Sequence, residues 1–166
     1  GLLAELEISV TLQKIGLDAF CDTAWLKNQQ TENPLVQVNH ILIDATTCSG
    51  TAVEVPDGVT EIGERTFYYC SKLTSITIPN SVMIIGKEAF EGCRKSIKVN
   101  YIGSQDDWDE VIGDGKYVLT NYAVINYLSG ISAKRSADGK SIVVKPINIE
   151  NGKTVILALY GGDKFI

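Results

Sequence analysis

Positive charge is what this sequence has least to spare: 15 lysines and arginines stand against 20 aspartates and glutamates, a formal charge of −5. Nucleic acids and anionic membrane surfaces need a dense basic face, so neither is expected as a partner. Histidine is nearly absent. His40 is the single copy, and no spaced histidine or cysteine completes a metal-ligand or general-base set around it. Cys48 stands eight residues on, but no orienting Asn or Asp pattern supports a Cys–His dyad. Long apolar runs are missing too. The longest uncharged stretch, 117–133, is broken by Thr120, Asn121, Asn126, Ser129 and Gly130, and a bilayer span needs about 20 apolar residues. No basic-then-apolar leader stands at the start, so no signal peptide is expected in this chain, and Gly1 in place of Met suggests a trimmed chain or a processed product.

Reaction motifs are equally scarce. No G-x-S-x-G elbow occurs. Gly139-Lys-Ser141 ends like a phosphate loop, but Lys134 stands where its first glycine belongs. A calcium loop begun at Asp107 would put Ile112 where glycine is needed. Cys21, Cys48, Cys70 and Cys93 form no C-x-x-C pair, which argues against a zinc ribbon, although four cysteines in a secreted chain would allow three pairings. The expectation is therefore no catalytic residue, no metal and no cofactor.

What the sequence does contain is a repeat. Val53 to Cys70 and Ile76 to Cys93 align at a constant offset of 23 residues. Pro56 maps to Pro79, Val59 to Val82, Ile62 to Ile85, Gly63 to Gly86, Phe67 to Phe90 and Cys70 to Cys93. An earlier copy pairs Leu6, Ile8, Leu12, Ile15, Gly16 and Phe20 with Val53, Val55, Val59, Ile62, Gly63 and Phe67. Its offset of 47 is two periods plus one residue, so a degenerate or inserted unit lies from Cys21 to about Ala52. A period of 23 fits one turn of a solenoid, since leucine-rich repeats run from about 20 to 29 residues. Val53 and Val55, or Ile76 and Ile78, alternate with outward residues as a short strand does. Pro56 and Pro79 stop those strands, and Asp57-Gly58 and Asn80-Ser81 are turn formers. The three-residue spacing of Val59 with Ile62 suggests a 3₁₀-like or irregular turn. Phe67 and Phe90 plug each turn. Cys70 and Cys93 read as small buried hydrophobes, and free thiols are expected because a stacked ladder does not supply disulfide geometry. About six inward side chains per copy cannot offset the ordering of 23 residues, so the copies must stack.

The run I-x-I-P-x-x-V-x-x-I-G-x-x-A-F-x-x-C, here Ile76 to Cys93, resembles the BspA-like, or Treponema-type, leucine-rich repeat. Thr66 departs from the usual Ala, Ser9 from Pro and Thr23 from Cys. The resemblance covers about residues 6–112. The segments 19–29 and 36–43 resemble an insertion common in that family, and the Y-x-G-S-x-x-x-W run at Tyr101 resembles segments that close such repeats. The resemblance implies a surface or secreted bacterial protein, with adhesion to host or matrix proteins as its role.

The expected fold is mainly β: a leucine-rich-repeat solenoid of about four coils over 1–112, a cap or linker over 113–128, and partial sandwich-like antiparallel strands over 129–166. Residues 35–43 read as a hairpin with Asn39-His40 at its tip, and Trp25 and Leu26 are expected beneath it. Ser104 with Asp107 matches a capping box, and Trp108, Val111 and Ile112 stand at i, i+3, i+4, so a short helix should lay an apolar stripe on the last coil. After Leu128, segments 131–136, 141–145 and 154–160 read as three strands resembling the start of an immunoglobulin-like module. That module takes about 100 residues, so Val155–Tyr160 is expected to pack on the solenoid end or to pair with a second chain. The outward strand residues Glu7, Glu54, Thr77 and Asn100 would form a ladder, the usual recognition surface of a solenoid. Of Tyr68 and Tyr69, at least one should face solvent and could anchor a partner. Glu54, Thr77, Asn100, Tyr68 and Tyr69 are therefore the candidate binding residues. The leading expectation is a non-catalytic extracellular protein-interaction module. The alternatives are a structural spacer or a carbohydrate-binding accessory using Trp25, Tyr68 or Tyr69.

Overall fold

A computed structural model of the chain describes residues 8–12 and 14–128, together with short strand pairs at 132–135, 142–145, 160–161 and 164–165. The chain divides into two compact units, 1–128 and 129–166. In the first, the elements in chain order are α1 (Ala24–Glu32), β1 (Val36–Val38), β2 (Ile41–Asp44), β3 (Ala52–Glu54), β4 (Glu61–Ile62), β5 (Ser75–Pro79), β6 (Ile84–Ile85), β7 (Lys98–Ile102), α2 (Gln105–Glu110), α3 (Asp114–Tyr122) and β8 (Val124–Tyr127). Strand dominates and the helices are few and short.

The repeat period becomes strand register. Val53 pairs with Ile76 and Ile76 with Val99, all parallel, so β3, β5 and β7 advance by one copy per strand, and β8 joins as the fourth member. A second ladder runs through β2, β4 and β6, pairing Leu42 with Ile62 and Ile62 with Ile85. That ladder corrects the expectation of a purely irregular turn at Val59–Ile62. The three-residue spacing does close turns there, with the Val59 N–H donating to the Pro56 carbonyl at 3.3 Å. However, the main-chain groups beyond it find partners in the next copy and so become short strands.

Between the ladders the core is a column of equivalent side chains. Val53, Val55, Val59, Ile62 and Phe67 are buried, and so are Ile76, Ile78, Val82, Ile85 and Phe90. The Phe67 and Phe90 rings stack 5.1 Å apart at 7°, as two residues one copy apart should. The left-handed turn that follows recurs as well. Asp18, Arg65 and Glu88 share φ of 56°, 58° and 55°, and Asp22, Tyr69 and Gly92 share 57°, 55° and 76°. Gly86 is required by close approach, because a Cβ there would stand 2.6 Å from the Glu64 nitrogen.

The second copy departs from this pattern. Its hairpin is present, with β1 antiparallel to β2 and Val38 opposite Ile41 across Asn39-His40. Asn39 takes the positive φ that such a tip demands, and its side-chain amide donates to the carbonyls of Ser9 and Leu12 at 3.0 and 3.2 Å. Helix α1 starts at Thr23, whose hydroxyl accepts from the Leu26 N–H at 3.1 Å. Half-buried Trp25 packs against Phe20 at 4.8 Å. Two contacts, each matched in the later copies, fix the phase of this copy. Ala45 donates to the Thr66 carbonyl as Phe67 does to that of Ala89, and Cys48, Cys70 and Cys93 each donate their N–H three residues back, to Ala45, Phe67 and Phe90. Ala45 thus stands in the phenylalanine position.

Helix α2 carries the capping box in full: the Ser104 Oγ accepts from the Asp107 N–H, and the Asp107 carboxylate accepts from the Ser104 N–H at 2.8 Å. Trp108 and Val111 are buried, but Ile112 is 61% exposed. Its expected place on the apolar stripe is corrected, because the helix ends at Glu110 and Ile112 instead bridges Ile84 in parallel. In the second unit, β9 (Ser132–Arg135) and β10 (Ile142–Lys145) pair antiparallel, as do β11 (Tyr160–Gly161) and β12 (Lys164–Phe165). The expected strand residues Val155, Leu157 and Leu159 lie outside the described residues.

Candidate functional site

Strand alternation places one residue of each copy on the outer face of the β3-β5-β7-β8 sheet. Glu54, Thr77 and Asn100 are direct cross-strand partners in one row. The row continues to Asn126, opposite Asn100, whose side-chain amide donates to the Asn100 Oδ1 at 3.2 Å. The sequence offset of 23 could not reach Asn126, because α2 and α3 lengthen the last step to 26 residues. Lys98 lies on the same face next to the row, beside Ser75 and Val124. Glu7 lies outside the described residues. The row holds an acid, a hydroxyl and two amides without a convergent acid–base pair, which suits hydrogen bonding to a partner rather than proton transfer.

Tyr68 and Tyr69 do not belong to that row. Their rings meet edge to face, 4.6 Å apart at 71°. Tyr69 is 67% exposed and rests on Gly92, whereas Tyr68 is half-buried beneath the Arg65 guanidinium at 5.2 Å. Arg65 in turn bonds Glu88 at 2.6 Å, one copy on. This contact raises the arginine pKa and lowers that of the glutamate. His40 sits half-buried at the hairpin tip, and its carbonyl accepts the Thr60 N–H at 2.8 Å. No cluster of three or more His, Cys, Asp or Glu with metal-binding geometry occurs among the described residues. Trp25 packs against Phe20.

The four cysteines are free. Cys70 is buried, and its thiol donates to the Ala45 carbonyl at 3.5 Å; Cys93 repeats this with the Phe67 carbonyl at 3.1 Å. Burial pushes the Cys70 thiol from 9.0 up to about 11 and the Cys93 thiol to about 12. Burial likewise pushes Tyr101 from 10.0 to about 12. All three keep their protons in the folded chain at pH values where the unfolded chain loses them. The stability they supply is complete below about pH 9 and is lost as pH rises through 11 and 12. Two results should follow. Exposed Cys21 should be alkylated by iodoacetamide at pH 8 while Cys70 and Cys93 react about 100-fold more slowly. The urea midpoint should fall steadily above about pH 9, and a flat midpoint to pH 11 would contradict the burial of these groups.

Residues 2–111 match a family model described as the BspA type Leucine rich repeat region, in six copies. No curated protein and no solved structure matches the chain. Repeats of this kind are in general non-enzymatic modules, and no helix among the described residues is long and apolar enough to cross a membrane.

Proposed function

The chain belongs to the BspA-type leucine-rich-repeat family, and from that premise we propose that it is a non-catalytic, adhesion-type protein-interaction module. It works as a short solenoid displayed on a bacterial surface or secreted, and it binds a host or matrix protein. The observation that carries this reading is the in-register row Glu54–Thr77–Asn100–Asn126 on the outer face of a parallel sheet. Hydrogen-bonding groups held by strands, one per copy, lose little conformational entropy when a partner docks. A sugar platform is disfavoured, because stacking on a sugar needs coplanar rings and Tyr68 and Tyr69 stand at 71°. The strands after residue 129 are consistent with an appended immunoglobulin-like module. Val155–Tyr160 is its candidate for strand-mediated self-association.

Surface plasmon resonance of the full chain against a panel of purified extracellular-matrix proteins tests the reading. At least one should bind saturably, and Thr77→Arg with Asn100→Arg should weaken it at least about 10-fold by filling the row with bulk and charge. Absence of saturable binding across the panel, or equal binding by the double variant, would refute the reading and leave the spacer role.

A further inference from the structure

Three copies carry four residues between the isoleucine that ends the second ladder's strand position and the phenylalanine: residues 16–19, 63–66 and 86–89. The second copy carries only Ile43 and Asp44 between Leu42 and Ala45. Where two full-length loops meet, three backbone bonds join them: Arg65 N–H to the Lys87 carbonyl at 3.2 Å, Phe67 to Ala89 at 2.8 Å and Tyr69 to Glu91 at 2.7 Å. Between the second copy and the third only the middle bond survives, Ala45 to Thr66 at 2.8 Å. Among the described residues, no backbone N–H donates to the carbonyls of Glu64 and Tyr68, equivalent to those of Lys87 and Glu91. Among the described residues, the N–H groups of Asp18, Phe20 and Asp22, equivalent to those of Arg65, Phe67 and Tyr69, donate to no backbone carbonyl.

A cavity of about 400 Å³ lies among these loops, lined by Asp18 and Phe20 of the first copy and by Arg65 and Tyr68 of the third. The second copy's loop is two residues short, and strands stack about 4.8 Å apart, so the space beside Ile43 and Asp44 leaves room for a short extended segment. The volume also falls in the range of pre-formed ligand sites. Charge selects the occupant. The lining carboxylates are Asp18, Asp22, Asp44 and Glu64, against Lys27 and Arg65, and Arg65 is already committed to Glu88. Asp44 is held in place by Gln30 Nε2 at 2.9 Å and Thr46 Oγ1 at 2.8 Å.

We propose that this slot binds an extended, lysine- or arginine-bearing peptide segment of a partner protein, whose backbone carbonyls meet the N–H groups of Asp18, Phe20 and Asp22 that the shortened loop leaves without a backbone acceptor, and whose cation meets Asp18 and Asp22. The slot is distinct from the outward row and does not depend on it.

The probe is an acetylated, amidated hexapeptide alternating lysine and valine, with the glutamate–valine peptide as control, titrated into the full chain and followed by ¹⁵N NMR and amide hydrogen exchange. The lysine peptide should bind saturably and protect the amides of Asp18, Phe20 and Asp22, and the glutamate peptide should bind at least about 10-fold more weakly. Inserting Gly-Glu between Leu42 and Ile43 restores the loop length and should abolish binding. Should that insertion fail to fold, Asp18→Asn with Asp22→Asn, which suits the left-handed backbone, should still weaken binding at least about 10-fold. Thr77→Arg with Asn100→Arg should leave it unchanged, which separates failure of the slot from failure of the outer row. No saturable binding, binding without protection of those three amides, equal binding of both peptides, or retained binding in a folded insertion variant would each overturn the proposal.

Discussion

Phe67→Ala should destabilise the chain by about 3–5 kcal/mol, the range for removing a fully buried phenylalanine, and lower the melting temperature of a chain this size by roughly 6–20 °C. The ring is wholly buried and lies parallel on Phe90 at 5.1 Å. Its other neighbour in the column is Ala45, which has no ring to offer. Truncation would leave two successive layers without an aromatic plug, and neither can collapse, because the backbone on both sides is fixed by ladder bonds from Ala45 to Thr66 and from Phe67 to Ala89. A cavity that cannot relax falls at the costly end of the range. Phe67→Leu keeps most of the volume and should recover more than half of the loss. Phe90→Ala should behave similarly, with α3 as its outer neighbour. Urea denaturation followed by circular dichroism measures all three. A Phe67→Ala cost below about 1.5 kcal/mol would mean that the ring is no structural plug.

The sequence revealed the fold where one copy resembles the next. Val53, Val55, Val59, Ile62 and Phe67 recur at 23 residues because each is buried by its own equivalent. Substitution at one such position is therefore felt by two layers. The hairpin was legible because alternation and an Asn tip are local signals. The second copy was not. Ala45 has nothing in common with phenylalanine except its place in the column, so the two-residue shortening after Leu42 shows only once Cys48, Cys70 and Cys93 are seen to share one turn. Helix α1 was missed because it has no buried residue, and a helix without an apolar stripe leaves no period to find. Thr23 as its cap was the one available cue. Ile112 misled because helical spacing was extended past Glu110, where ladder pairing with Ile84 takes over. Of the candidate binding residues, Glu54, Thr77 and Asn100 were placed by alternation alone, since period 2 decides which side of a sheet a residue faces. Tyr68 and Tyr69 lie in a turn, where no period sets orientation.

Trp108→Ala should match the phenylalanine loss, again about 3–5 kcal/mol, while Trp108→Phe should cost under about 2 kcal/mol. The indole is buried at 1% exposure and meets Tyr101 edge to face at 5.1 Å. Lys116, from α3, lies 5.8 Å from its ring centre. It thus joins α2 to the inward side of β7 and to the next helix. Its Nε1 has no acceptor among the described residues, so phenylalanine forfeits no hydrogen bond to them and removes a buried donor whose isolation costs about 1–3 kcal/mol. It keeps the edge-to-face partner for Tyr101. Alanine keeps nothing and opens the end of the core, leaving the Tyr101 ring with Tyr127 of β8, edge to face at 6.5 Å. The contrast between the two variants is the informative quantity. If the indole served mainly through its N–H, phenylalanine would be nearly as damaging as alanine. If it serves as the hydrophobic cover of β7, thermal denaturation should show phenylalanine close to the parent and alanine far below it. In the alanine variant, hydrogen exchange should quicken first at β7 and β8, the strands next to the lost cover, while the amides of β3 and β4 keep their protection.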